Sequence, residues 1–284
     1  MRKFFAFGIL ALLVFAACKN DKKGGYSAEI TNATTLAGFW VPADFCARAA
    51  KEGSVLKVMN NYTRPYAYAL GFDSAIPDSV TCFNGVEKWR MPVIFRKDTI
   101  EIPKADGKLS IFLVYDPETN KDLTMFDGTS GKTAINRFTL SKSQAMDGYT
   151  AFLLELNNLM MRGNFKSTSK GANEVRFEPG GRLRGIDGYD KYELCTGGDC
   201  VVMKDMDVIT FSNSQKPDSE TMFGFKFLGK RDTLQIYNLI NQNPAEKGNY
   251  ALGTIAHNLV NVRIASPKTA PKPAPKPGTP PPSK

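Results

Sequence analysis

The sequence predicts an all-β chain that forms two tandem antiparallel β-barrels, with one large β-barrel or sandwich as the alternative. Short segments rich in β-branched and aromatic residues follow one another along residues 36–264, with turn signals between them. The connections are too short for helical crossovers, which disfavours a parallel sheet. Similar motifs also recur in the same order in the two halves, which favours two barrels over one.

The first predicted barrel covers residues 36–157 and opens with a strand at residues 36–41. A short helix is predicted at residues 45–51 because Gly53 ends its apolar pattern. Asn84-Gly85 is a strong hairpin signal between two strands. The remaining strands of this half are predicted at residues 55–59, 66–72, 79–83, 86–95, 99–102, 108–115, 122–126 and 137–140.

The second predicted barrel covers residues 158–265, and an apolar segment at residues 151–161 is a predicted helix that connects the halves. Phe223, Phe225 and Phe227 alternate with other residues, so a strand places their rings on one face. Four motifs of this half match the first half, which indicates a diverged repeat. They pair residues 161–165 with 37–40, 175–181 with 82–85, 207–211 with 98–102, and 234–238 with 123–127.

The N-terminus carries the features of a secretory signal. Arg2 and Lys3 precede an apolar run at residues 4–17, which is shorter than the roughly 20 residues of a membrane-spanning helix. The run ends in small residues directly before Cys18 and resembles the lipobox of bacterial lipoproteins. This resemblance implies that residues 1–17 are removed and that Cys18 carries acyl chains such as palmitate.

The resemblance to lipoproteins also implies a location in the cell. Residues 18–35 form a polar tether that would hold the fold away from the lipid surface. Lys19 stands where inner-membrane lipoproteins commonly have Asp, so the resemblance favours the outer membrane of the cell envelope. The sequence leaves open whether the protein faces the periplasm or the cell surface.

The basic charge does not indicate nucleic-acid binding. The chain has a formal net charge of +9, but most of the excess lies in the signal, the tether and the Pro/Lys-rich tail at residues 266–284. The predicted barrels are therefore nearly neutral, and a neutral surface does not attract a phosphate backbone. The tail itself has the composition of a disordered, extended segment.

Four cysteines remain after Cys18 is assigned to the lipid, and an oxidising envelope would allow them to pair. Three pairings are possible. Cys195 and Cys200 flank a Gly-Gly turn, so a hairpin would bring them within bonding distance. We therefore favour Cys195–Cys200, which leaves Cys46–Cys82 as the second predicted disulfide.

Most of residues 36–264 resembles lipocalin-like lipoproteins of the bacterial envelope, in two copies. The likeness rests on the Gly-x-Trp opening, the run of strands and a Phe-x-Phe motif followed by a turn and Leu-x-Ile-Tyr. Trp40 stands where lipocalins keep the tryptophan at the barrel base, whereas the second copy has Phe165 there. The resemblance implies barrels whose mouths can hold an apolar or amphipathic ligand.

No motif in the sequence indicates catalysis, a cofactor or a metal site. The only histidine, His257, is far in sequence from the cysteines, and no nucleophile elbow or zinc-protease motif occurs. We therefore predict a membrane-anchored lipoprotein, not an enzyme, that binds a small hydrophobic ligand. The alternative is a non-catalytic structural module of the outer membrane that contacts another envelope protein.

Overall fold

The part of the chain that the structure describes forms two antiparallel β-barrels in tandem, with three α-helices between them. This computed structural model describes residues 33–62, 64–105, 107–116, 122–128, 134–169, 174–196, 206–243, 245 and 249–262. The predicted all-β class and the two-barrel architecture are confirmed. Among the described residues, no helix combines the length and hydrophobicity needed to span a bilayer.

Barrel 1 is a nearly closed sheet of nine strands in the order β4-β3-β2-β1-β9-β8-β7-β6-β5. Its strands are β1 (Gly38–Pro42), β2 (Ala69–Phe72), β3 (Ser79–Phe83), β4 (Lys88–Pro92), β5 (Ile94–Arg96), β6 (Thr99–Ile102), β7 (Ile111–Asp116), β8 (Asp122–Phe126) and β9 (Ala134–Leu140). The two edge strands, β4 and β5, are consecutive in the chain and meet at Pro92-Val93. One bent segment therefore supplies both edges of the gap at which the barrel 1 sheet is not closed.

Barrel 2 is a closed barrel of eight strands that pair in sequence order. They are β10 (Gly163–Ser167), β11 (Glu174–Glu178), β12 (Arg182–Arg184), β13 (Lys191–Leu194), β14 (Asp207–Asn213), β15 (Lys216–Leu228), β16 (Thr233–Asn241) and β17 (Tyr250–Asn261). The first strand closes the barrel by pairing Phe165 with Asn261 of the last strand. Closure removes the free sheet edges on which other chains could pair.

The strand order agrees with three of the four motif pairs seen in the sequence. If β4 and β5 are counted as one bent segment, barrel 1 also has eight segments. On that count β1 and β10 are both first, β6 and β14 are both fifth, and β8 and β16 are both seventh. The fourth pair does not match, because β3 is the third segment of its barrel and β11 is the second.

The interior of barrel 2 is filled by aromatic side chains. Phe223 and Phe225 are both buried on one face of β15, as their alternation predicts, and Phe227 packs partly buried against the same cluster. The ring of Phe211 lies 5.1 Å from that of Phe223 and 6.3 Å from that of Phe177. These distances are typical of packed aromatic pairs, so side chains fill the space along the barrel axis.

A short 3-10 helix, Ala33–Leu36, lies at one end of barrel 1 and is buried there through Leu36. Trp40 on β1 points into the barrel, is 2% exposed, and donates a hydrogen bond from Nε1 to the Leu36 carbonyl oxygen at 2.8 Å. The structure thus places Trp40 beside the closed end of barrel 1. Its assignment to the base of a lipocalin-like barrel stays a prediction.

Two predicted helices are confirmed and one predicted strand is wrong. Helix α1 (Ala43–Glu52) covers the predicted helix at residues 45–51, and α3 (Gly148–Met160) covers most of the predicted helix at residues 151–161. The segment predicted as a strand at residues 55–59 is instead helix α2 (Val55–Asn61). Ser54 caps α2 by accepting a hydrogen bond from the Lys57 amide at 2.9 Å.

The three helices form a layer between the barrels. Val41, Ala69 and Phe83 point out of barrel 1 and share one apolar cluster with buried residues of α1, α2 and α3. That cluster continues without a break into the interior of barrel 2, where it includes Phe165 and Phe211. The two barrels therefore share part of their hydrophobic core through this helical layer.

The predicted Cys46–Cys82 disulfide is wrong, because both residues are free buried thiols. Cys46 lies on α1 in the cluster of the helical layer, whereas Cys82 points into barrel 1 from β3. The two side chains are therefore on opposite faces of the barrel 1 sheet. Burial raises the pKa of each thiol well above its usual value, which disfavours the reactive thiolate.

Candidate functional site

A cavity of about 760 Å³ lies between the closed end of barrel 1 and helix α3. We call it the Trp40 cavity, and its volume is in the range of small-molecule pockets. It is lined by Thr35, Trp40, Val41, Tyr115, Thr139, Leu140, Ser141, Lys142, Glu155 and Asn158. The sheet supplies five of these ten residues, the segments next to β1 and β9 supply three, and α3 supplies the last two.

The wall of the Trp40 cavity opposite α3 combines four aromatic or aliphatic side chains with four polar ones, Thr35, Thr139, Ser141 and Lys142. Trp40 and Tyr115 meet edge to face with their ring centroids 6.1 Å apart. Val41 and Leu140 belong to paired strands, because β1 and β9 are antiparallel neighbours with Trp40 opposite Leu140. Fixed strand pairing makes this wall rigid, which favours a preformed pocket over one that opens only on binding.

The helix side of the Trp40 cavity is polar. Glu155 and Asn158 are three residues apart on α3 and therefore lie on the same helix face. The Oδ1 atom of Asn158 is buried and has no hydrogen-bond partner. Within the described residues, no cation lies within ion-pair distance of Glu155. Because Asn158 Oδ1 has almost no accessible surface, the partly buried Glu155 carboxylate is the acceptor that α3 presents to the cavity.

Two smaller cavities, of about 140 and 290 Å³, lie where α2 meets barrel 2. Asp207 on β14 borders both, and its Oδ1 atom accepts hydrogen bonds from the Val55 and Leu56 amides at 2.7 and 2.9 Å. Burial raises the pKa of the Asp207 carboxyl despite these bonds. The carboxylate therefore serves as a second cap for α2, and we assign it a structural role.

The structure does not assemble the other predicted site residues around this cavity. Cys18 and Cys200 lie outside the described residues. Cys195 is disulfide-bonded and borders the smaller cavity at α2. Because Cys200 is not among the described residues, the Cys195–Cys200 pairing stays a prediction. Among the described residues, no group of three metal-ligating side chains comes together.

Glu155 and Asn158 were not identified from the sequence. They lie in a helix that reads as largely apolar, and a polar residue in such a helix is as easily a solvent contact as a site residue. The only available signal was their spacing of three residues. The opposite wall comes from strands more than 100 residues earlier in some cases, so the cavity itself is not visible in the sequence.

Comparisons with protein-family models, with curated proteins and with solved structures find no match to this chain.

Proposed function

We propose that this protein is a lipid-anchored lipoprotein of the bacterial cell envelope that binds a small amphipathic molecule in the Trp40 cavity. The observation that carries the proposal is a cavity of about 760 Å³ whose lining combines aromatic and aliphatic side chains with polar ones, Glu155 among them. Such a pocket orients a ligand through a few polar contacts while its apolar wall contributes most of the binding. The proposed role is binding without catalysis.

This proposal puts the ligand beside barrel 1 and not along a barrel axis. Packed rings occupy the axis of barrel 2. Many inward-facing residues of barrel 1, such as Leu113, Leu123 and Phe138, are fully buried in one cluster. A second candidate function follows from the same packing, because filled barrels suit a structural module that contacts an envelope protein. The binding experiment below separates the two.

Filling the cavity should weaken ligand binding strongly. The Thr139 side chain lies on the outer face of β9 and borders the cavity, so a tryptophan there would occupy it. We expect the chain from Lys19 onward, which keeps every described residue, to bind the neutral dye Nile red with a rise in fluorescence. Thr139→Trp should weaken that binding at least tenfold. Thr210→Trp, on an outward-facing position of β14 in barrel 2, is the matched control.

If neither the unaltered chain nor the Thr210→Trp control binds Nile red or any amphipathic probe, the binding proposal fails and the structural-module candidate gains support. Equal binding by the Thr139→Trp and Thr210→Trp variants would place the dye elsewhere on the molecule and would also contradict the assigned site.

The anchor is tested separately. Cys18→Ala removes the only residue to which the proposed acyl chains attach. We expect the full chain to partition into the membrane fraction with Cys18 present, and metabolic labelling with radioactive palmitate to mark it. The Cys18→Ala variant should lose the label completely. A variant that is still labelled would show that Cys18 is not the lipidated residue.

A further inference from the structure

We infer that one face of barrel 2 lies on a lipid surface that carries anionic headgroups. We call it the basic face, and it is the outer surface of β10, β11 and β12 with the neighbouring ends of β13 and β17. This inference rests on the proposed lipid anchor, which places the chain at a membrane, and adds the surface by which the fold contacts it. Six exposed cations lie on or directly beside these strands: Arg162, Lys166, Arg176, Arg182, Arg184 and Lys191.

Strand pairing places several of these cations next to one another. Arg176 of β11 lies opposite Arg184 of β12, and Arg182 of β12 lies opposite Lys191 of β13. The residues that alternate with them are buried inside the barrel, so the cations point outward. Like charges that face each other across neighbouring strands destabilise a sheet. The pairing of these strands therefore does not explain the cations, whereas an anionic surface outside the barrel would.

The carboxylates on the basic face do not neutralise it. Glu174 lies 3.3 Å from Arg176. Glu178 is shared between Arg184 at 2.9 Å and Arg182 at 3.8 Å. Among the described residues, no carboxylate lies within ion-pair distance of the other three cations. Six cations against two carboxylates leave an excess of four positive charges, and the ion pairs are exposed, so phosphate groups can compete for the arginines.

The acidic residues at the border of the basic face do not reverse its charge. Asp190, in the turn between β12 and β13, accepts a hydrogen bond from the Ser214 amide at 2.7 Å. Glu193 lies opposite Thr210 of β14, outside the part of β13 that pairs with β12. Asp187 is exposed in the same turn as Asp190 and lowers the local excess without removing it. The cations are thus concentrated here, although the predicted barrels are nearly neutral as a whole.

Exposed apolar side chains adjoin the cations. Val260 of β17 lies opposite Lys166 of β10, and the Val262 amide bonds to β10 two residues later. Leu228 of β15 belongs to the same row, because it lies opposite Thr233, which lies opposite Val260. The three apolar side chains are each at least 41% exposed. Such a combination suits the boundary of a bilayer, where apolar groups enter the acyl region and cations remain among the phosphates.

The segments outside the described fold agree with this orientation. Val262 is the last described residue, and residues 263–284 carry five Lys and Arg residues and no Asp or Glu. Further positive charge therefore follows directly from the basic face. At the other end, 14 residues separate Cys18 from Ala33. Their greatest extension is about 50 Å, which exceeds the diameter of a small domain, so an anchor at Cys18 allows barrel 2 to reach the same lipid surface.

Vesicle binding by the chain without its lipid tests the inference. The chain from Lys19 onward lacks the proposed acyl chains, so its binding must come from the protein itself. In about 0.15 M salt we expect it to sediment with vesicles of phosphatidylcholine and phosphatidylglycerol in equal parts, but not with vesicles of phosphatidylcholine alone. Raising the salt to about 1 M should weaken the binding at least tenfold, because salt screens exposed charges.

Paired substitutions locate the binding surface. Arg176→Gln combined with Arg184→Gln should weaken binding to the anionic vesicles about tenfold or more, because each cation near such a surface contributes about fivefold. Lys88→Gln combined with Arg90→Gln is the matched control, since both residues are exposed on β4 of barrel 1 and the change in charge is the same. It should alter binding by less than about twofold. A chain that lacks residues 266–284 should bind more weakly and still respond to the Arg176 and Arg184 substitutions.

The outcomes distinguish the inference from the function on which it rests. Equal binding to both kinds of vesicle, binding to neither, or equal binding by the two paired variants would overturn the basic face, while palmitate labelling of Cys18 would leave the proposed anchor standing. Vesicle binding by the unlipidated chain together with an unlabelled Cys18 would contradict the anchor alone. Complete loss of binding with residues 266–284 would assign the contact to that segment and not to the basic face. Tighter binding to a DNA duplex than to the anionic vesicles would rule out lipid as the occupant.

Discussion

Replacing Phe152 with alanine is expected to destabilise the whole chain by about 3–5 kcal/mol, the usual range for a buried phenylalanine. Phe152 lies at the centre of the helical layer and is 0% exposed. Its ring stacks on Tyr68 with centroids 4.7 Å apart and an interplanar angle of 5°, and it also contacts Phe45 at 5.9 Å. Removing it opens a cavity between α1, α3 and barrel 1. Urea denaturation measures the loss.

Leu159→Ala is the matched control, because Leu159 is on the same helix and is 39% exposed. It should cost less than about 1 kcal/mol. A Phe152→Ala variant as stable as this control would contradict the assigned packing. Hydrogen exchange adds a second test, because amides of both barrels should lose protection together if the layer couples them. Loss confined to one barrel would show that they unfold independently.

Arg231→Ala should cost about 2–4 kcal/mol, because it removes two charge-assisted hydrogen bonds from a partly buried site. Arg231 lies in the turn between β15 and β16 and reaches into the helical layer. Its Nη1 atom donates to the Ala50 carbonyl oxygen at 2.8 Å, and Nη2 donates to the Met160 carbonyl oxygen. These carbonyls belong to the C-terminal turns of α1 and α3, where a positive charge is favourable.

The guanidinium of Arg231 also lies 4.8 Å from the centre of the Phe227 ring. The backbone at Arg231 has φ of +64°, and alanine is strained there to a similar degree, so the substitution isolates the side chain. Lys230→Ala, one residue earlier, is the control and should change the free energy of unfolding by less than about 0.5 kcal/mol. Arg231→Lys should recover only part of the loss, because one ammonium cannot match the fork of donors. Equal stability of the Arg231→Ala and Lys230→Ala variants would contradict the role given to this arginine.

Local pattern was enough to predict most of the fold. In strands such as β15, apolar residues that face inward, Phe223 and Phe225 among them, alternate with residues that face outward. This alternation alone predicts a β-strand. Helix α3 was also predicted, because residues 151–161 form an apolar segment without Gly or Pro between two sets of strands. These features depend on neighbours in sequence.

Features that depend on distant residues were missed. Helix α2 is only seven residues long, and part of its N-terminal capping comes from Asp207. The predicted Cys46–Cys82 disulfide was wrong because it rested on the even number of cysteines left after Cys18. That number does not show on which face of the sheet each thiol lies. The Trp40 cavity has one wall from barrel 1 and one from α3, so no single segment shows it.

Two of the polar contacts that barrel 2 makes with the helical layer have a consequence for how the chain assembles over time. Val55 is 152 residues from Asp207, and Ala50 is 181 residues from Arg231. The ribosome synthesises barrel 1 and all three helices well before it reaches Asp207 and Arg231. Until barrel 2 is synthesised, we expect the apolar sides of these helices to be exposed to solvent. Partly folded chains with exposed apolar surface are prone to aggregate. The arrival of Asp207 and Arg231 then covers these helices, so we expect rapid completion of barrel 2 to favour folded protein over aggregates.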